Sequence, residues 1–83
     1  MNNLIECRIK ELLIQILGEE LQLEEVGYED NLIYFGLNSI NYIKWIVSIE
    51  NDFNIDLDDE VLELDKFNNI KKLANSINSL IKS

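Results

Sequence analysis

The sequence predicts an all-α fold of four helices, three long and the third short. Two observations carry this. Apolar residues recur at helical spacing through most of the chain, and no proline interrupts the 83 residues. No repeat, low-complexity tract or linker divides them, so residues 1–83 are expected to form one domain, the most that this length supports.

The first helix is expected over residues 3–17, where Ile5, Ile9, Leu12, Leu13 and Ile16 share one arc at 100° per residue, with Gly18 as its stop. Cys7 lies opposite that arc and is expected to be exposed. Residues 18–38 show no sustained period but carry Leu21, Leu23, Val26, Leu32 and Phe35. That is the pattern of a long loop pinned to the core by spaced side chains, and such loops tend to be functional. The second helix should run from Ser39 to about Phe53. Ile43, Ile46, Val47, Ile49 and Phe53 fill its apolar arc, while Asn41, Lys44, Ser48, Asn51 and Asp52 form its polar side. Ile40 and Val47 stand at a margin of that arc, beside Lys44 and Asn51. A short turn or helix follows in "DDEVLEL", residues 58–64. The last helix has the cleanest stripe, Ile70, Leu73, Ala74, Ile77, Leu80 and Ile81, with Asn68 or Asn69 as its cap.

Composition removes whole classes of function. Sixteen acids against seven bases give a net charge of −9, a surface that phosphate backbones repel, so no nucleic-acid role is expected. No apolar run approaches the roughly 18 residues that cross a membrane. The opening "MNNLIECRIK" lacks the basic-then-apolar layout of a secretion signal, so a cytoplasmic monomer is the expectation. There is no histidine and one cysteine, which excludes His-based acid/base chemistry, Cys–His dyads and Cys/His zinc sites. Nothing near Cys7 in sequence would lower its pKa, so it is expected to be inert. A chain this short, burying only about 60–65% of its unfolded surface, has little room for an enclosed catalytic cavity. No enzyme is expected.

Residues 52–63, "DFNIDLDDEVLE", approach the loop of an EF-hand, with Asp52, Asn54, Asp56, Asp58 and Glu63 at ligand positions. Leu57 stands where that loop needs glycine for its sharp turn, and Asp59 takes a position that is apolar in such loops. No metal site is expected, and a small calcium-binding protein is the weakest of the readings.

The other informative stretch is "YFGLNSINYIKW", residues 34–45. Gly36 permits a tight turn, Leu37 and Ile40 flank Ser39 with apolar bulk, and a helix beginning at Ser39 offers free N–H groups and partial positive charge that suit a phosphate. Serine and asparagine are both good helix caps, so a purely structural role for Ser39 competes with a chemical one. No base in the chain is fit to deprotonate Ser39, and G-x-S-x-G is absent, so it is a poor nucleophile. It is better placed to receive a phosphate ester from another enzyme.

In these features the chain resembles the acyl and peptidyl carrier proteins. Residues 30–77 carry the likeness: Asp30 and Leu32 open it, Gly36-Leu37-Asn38-Ser39-Ile40 matches the attachment motif, Glu50 and Phe53 close the second helix, and "FNNIKKL" enters the last. Where the family most often has aspartate, this chain has Asn38, which keeps a capping oxygen and drops a charge. The resemblance implies a four-helix carrier bundle and 4′-phosphopantetheine, delivered from coenzyme A to Ser39 by a phosphopantetheinyl transferase. It also implies cargo held as a thioester, an acyl- or aminoacyl-loading enzyme of the adenylation type, and downstream condensing or tailoring enzymes. Fatty-acid carriers dock through acids along the second helix, whereas here that face carries Asn41, Lys44 and Asn51, with only Glu50 and Asp52 acidic. The nearer likeness is therefore a free-standing peptidyl carrier of nonribosomal or related metabolite assembly, docking through Ile40, Lys44 and Val47. An acyl carrier of fatty-acid synthesis is the alternative.

Overall fold

A computed structural model describes residues 2–21, 23, 25–57 and 59–82 of the chain. Three α-helices, α1 (Asn2–Leu17), α2 (Ser39–Phe53) and α3 (Ile70–Lys82), are joined by loops that each contain a 3₁₀ turn, Leu32–Phe35 and Asp59–Leu62. No strand occurs among the described residues. The short third helix expected near 58–64 is thus a single 3₁₀ turn, and Asp58 lies outside the described residues.

α1 packs against both α2 and α3, so its apolar side serves two neighbours. Ile5, Ile9, Leu12, Leu13 and Leu17 are buried. Ile16, expected in that arc, is 41% exposed, because it faces an open groove beside α2, and Leu17 closes the core in its place. Cys7 is exposed, as its phase predicts.

α2 has the expected extent and a different phase. Tyr42, Trp45, Ile46 and Ile49 are buried, whereas Ile43, placed in the apolar arc by periodicity, is exposed, and Val47, at the margin of that arc, is exposed too. Apolar residues surround most of this helix, so the two large aromatic side chains, which bury the most area, decide which side turns inward. A buried indole or phenol also needs a hydrogen-bond partner, and both find backbone carbonyls. Trp45 Nε1 donates to Ile9 O at 2.9 Å, tying α2 to α1, and Tyr42 Oη donates to Val61 O, tying α2 to the second 3₁₀ turn. Their rings meet edge to face with centroids 6.0 Å apart. Asn41, expected on the polar side, is buried in the N-terminal cap of α2.

The long loop is pinned by Leu21, Leu23, Val26 and Leu32, all buried, with Phe35 only half-buried against the core. It also finishes the start of α3. Lys71 N–H donates to Tyr28 O at 3.0 Å, Lys72 N–H to Asn69 Oδ1 at 2.8 Å, and Leu32 N–H to Asn68 O at 2.7 Å. The Lys72 bond makes Asn69 the cap of α3, the Lys71 bond satisfies a second donor that a helix start leaves orphaned, and the Leu32 bond ties the first 3₁₀ turn to the residue before that cap. On α3, Ile70, Leu73, Ala74 and Ile77 are buried. Leu80 and Ile81, expected in the same stripe, are 39% and 49% exposed.

Candidate functional site

The site is made by two helix-end motifs placed back to back. Asn31 opens the first 3₁₀ turn by accepting from Ile33 N–H at 3.0 Å. The turn closes on Gly36, in the left-handed region at φ 105° and ψ 5°. Gly36 N–H donates to Ile33 O and Leu37 N–H to Leu32 O, both at 3.1 Å, the paired bonds of a Schellman ending. The apolar contact that accompanies such an ending falls to Leu32 and Leu37, both of them buried. Glycine is favoured here by its positive φ, and a Cβ would in addition crowd Leu21 Cδ2 at 3.0 Å.

Leu37 delivers an extended Asn38 to the start of α2. Asn38 Oδ1 accepts from Ile40 N–H at 2.9 Å and from Asn41 N–H at 3.0 Å. Asn41 Oδ1 returns the bond from Asn38 N–H at 2.7 Å, completing a reciprocal capping box in which two asparagines replace the usual Ser/Thr and Glu/Gln. The cap is therefore Asn38 and not Ser39. Ser39 occupies the first helical position, exposed, with no hydrogen bond from its hydroxyl to any described residue. Among the described residues that hydroxyl holds nothing together.

The rim of the site is apolar. Ile40 is 75% exposed and Val47 47%, with Ile43 exposed between them. Lys44 joins them, its ammonium 3.8 Å from a Glu20 carboxylate. The structure thus gathers Gly36, Leu37, Asn38, Ser39, Ile40, Lys44 and Val47 at one end and along one face of α2. It adds Tyr34, 86% exposed on the 3₁₀ turn that leads to Gly36, which the sequence did not single out. Leu32, two residues earlier, takes the inward position of that tight turn, and this was the available signal.

The two acids at the far end of α2 are occupied internally. Glu50 Oε2 accepts from Leu57 N–H at 2.9 Å. Asp52 takes a two-pronged hydrogen bond from Arg8, with Nε at 2.8 Å, and this bond holds its carboxyl below the ordinary range against a smaller opposing effect of desolvation. Asn54 caps α2 in the left-handed region at φ 56°, its N–H on Glu50 O. Asp52 and Asn54 of the calcium-like stretch, and Glu50 just before it, thus have structural work, and no group of three or more acids among the described residues is arranged to hold a metal ion.

No helix among the described residues is long and apolar enough to cross a membrane. The family described as the phosphopantetheine attachment site matches residues 7–77 of the chain. No curated protein and no solved structure matches it.

Proposed function

The chain belongs to the phosphopantetheine attachment site family, whose members are non-catalytic carriers, and we propose that Ser39 is the attachment residue of an aminoacyl or peptidyl carrier. The carrying observation is the uncommitted hydroxyl: Asn38 caps α2, so Ser39 Oγ can be esterified without breaking a bond of the fold. Ser39 fits the group in two further respects. The first turn of a helix favours negative charge, which suits a phosphodiester. Gly36 and the capping box fix the backbone on both sides, so the hydroxyl is presented by a rigid support. When attached, 4′-phosphopantetheine supplies a thiol on a flexible arm, and family members interact with phosphopantetheinyl transferases and with partner enzymes.

The peptidyl reading rests on the outer face of α2. Its two acids, Glu50 and Asp52, are spent on Leu57 N–H and Arg8, while Ile40, Ile43 and Val47 lie open beside Ser39. Partners that dock there meet an apolar surface with Lys44 rather than a free acidic strip. Buried apolar contact then supplies the affinity, and charge supplies little.

Intact mass decides the attachment. The chain should gain one phosphopantetheine on incubation with coenzyme A and a permissive transferase, and Ser39→Ala should gain none; a loaded alanine variant refutes the assignment. Loading by an aminoacyl-adenylating enzyme supports the peptidyl reading, whereas loading only by a fatty-acid malonyl-transfer enzyme moves the chain to fatty-acid synthesis. Val47→Asp should slow transfer while keeping a cooperative melt, and an unchanged rate places docking off this face.

A further inference from the structure

An open groove of about 520 Å³ runs between α1 and α2. Leu12 forms its buried floor, Ile16 and Val47 are half-exposed apolar walls, and Gln15, Ser48 and Asn51 give it polar edges. Arg8 near the start of α1 meets Asp52 near the end of α2, and Glu20 just past α1 meets Lys44 near the start of α2. The two helices are therefore antiparallel. The lining runs from Arg8 to Ile16 on one and from Lys44 to Asp52 on the other, roughly 12 Å of each at the helical rise.

We propose that this groove seats an amphipathic helix of a partner enzyme, its apolar side chains against Leu12, Ile16 and Val47 and one of its carboxylates on Lys44. The inference deepens the docking face proposed above and rests on it. Backbone chemistry selects a helix. Both walls are helices whose backbone groups are bonded internally, so an extended segment would leave its own N–H and C=O groups unpaired against Ile16 and Val47. A helix satisfies its own backbone, and anchors at i, i+3 or i+4 and i+7 span roughly 10 Å, which fits the groove. Charge selects an acidic partner. In a chain of net charge −9, the described residues lining the groove carry two cations, Arg8 and Lys44, against one anion, Asp52. Arg8 is held by Asp52 in a two-pronged hydrogen bond and closes one end. Lys44, at the other end, meets Glu20 at 3.8 Å, with both side chains more than half exposed. Such a pair contributes little and exchanges readily for a partner's carboxylate. A second copy of the chain would bring another net charge of −9 against the first, which opposes self-association. Position fits the chemistry as well. Ser48 of the lining stands nine residues from Ser39, half a turn round α2, so a helix seated there leaves the serine uncovered.

The test titrates the full, isotope-labelled chain with two synthetic peptides of about 20 residues, beyond the length at which isolated helices are marginal. Both carry leucine at the anchor positions, one flanked by glutamate and the other by lysine. The glutamate peptide should bind at least about threefold tighter, the size of one exposed ion pair. It should shift the backbone amides of Gln15, Ile16, Lys44 and Ser48. Net charge alone predicts the reverse order, since a chain at −9 attracts lysines, so the sign of the preference identifies the groove. Lys44→Glu should reverse the preference, and Ile16→Glu should weaken both peptides about tenfold. Ile16 is 41% exposed, so Ile16→Glu and the milder Ile16→Ser should both keep a cooperative melt. A preference for the lysine peptide, shifts that avoid α1, or affinities that neither Ile16 variant lowers overturn the proposal. So does a dimer of the free chain that Ile16→Glu dissociates, since a second copy then fills the groove. Transfer from an aminoacyl-loading enzyme separates the groove from the docking face. Slowing by both Val47→Asp and Ile16→Glu supports the groove. Slowing by Val47→Asp alone leaves the face standing and overturns the groove, and slowing by neither refutes the face itself.

Discussion

Asn38→Ala and Ser39→Ala should have opposite effects, although the two residues are adjacent. Asn38 Oδ1 accepts two backbone N–H groups at the start of α2, and removing it leaves both without their partner. Loss of an asparagine cap costs about 0.5–2 kcal/mol, typically about 1. The backbone bond from residue 38 to Asn41 Oδ1 needs no side chain at 38 and survives the change, which keeps the expected cost near the middle of that range. In a domain of this size about 1 kcal/mol lowers Tm by roughly 4–8 °C. Ser39→Ala deletes a hydroxyl with no bond to any described residue and installs a better helix former, so its effect should stay within about 0.5 kcal/mol. Loading should follow the reverse order: lost in Ser39→Ala, retained in folded Asn38→Ala. Asn38→Asp keeps the acceptor and adds a negative charge at the helix start. It should stabilise by about 0.3–1 kcal/mol at low ionic strength, an increment that fades with salt. Thermal melting at two salt concentrations with parallel intact-mass measurements covers all three variants. If Ser39→Ala destabilises as much as Asn38→Ala, the serine is the cap and the separation of cap from attachment point is wrong.

Three further outcomes are expected. Gly36→Ala should cost about 1–2 kcal/mol, from forcing an L-residue to positive φ and from its approach to Leu21 Cδ2, and Gly36→Asn should cost less; an unchanged urea midpoint for the alanine variant refutes the constraint. Arg8 lowers the pKa of Asp52 relative to the unfolded chain, so the pair's stabilisation is present above the ordinary aspartate value of about 4 and is lost as pH falls below it. Arg8→Met should flatten that acid limb, and an acid limb identical to the parent's would show that the pair contributes nothing. Calcium should produce no selective rise in Tm that survives moderate salt, because Asp52 is engaged by Arg8 and Asn54 caps α2; a rise absent with magnesium at equal ionic strength revives the EF-hand reading.

The sequence by itself determined the all-α class, the span of α2 from Ser39 to Phe53, the stop of α1 before Gly18 and the inward stripe of α3 through Ile77. These follow from local chemistry, from spacing and from end residues that need no distant partner. It also drew attention to residues 36–39, where we place the attachment residue, because a glycine turn, an asparagine and a helix-starting serine lie within four residues. Only the tertiary structure decided which side of α2 is buried. Apolar residues span well over half of its circumference, opposite the polar strip of Asn41, Lys44, Ser48, Asn51 and Asp52, so periodicity alone allows either Ile43 and Val47 or Tyr42 and Trp45 to face inward. The second pair wins because its rings bury more surface, and because Trp45 and Tyr42 find acceptors at Ile9 O and Val61 O, 36 and 19 residues away. The same docking of α2 on α1 leaves Ile16 and Val47 uncovered on either side of a groove. Asn41 likewise read as an exposed polar residue until Leu37 entered the core and brought the backbone of Asn38 within reach of its side chain. With both asparagines committed to the cap, the hydroxyl of the serine between them makes no hydrogen bond to a described residue.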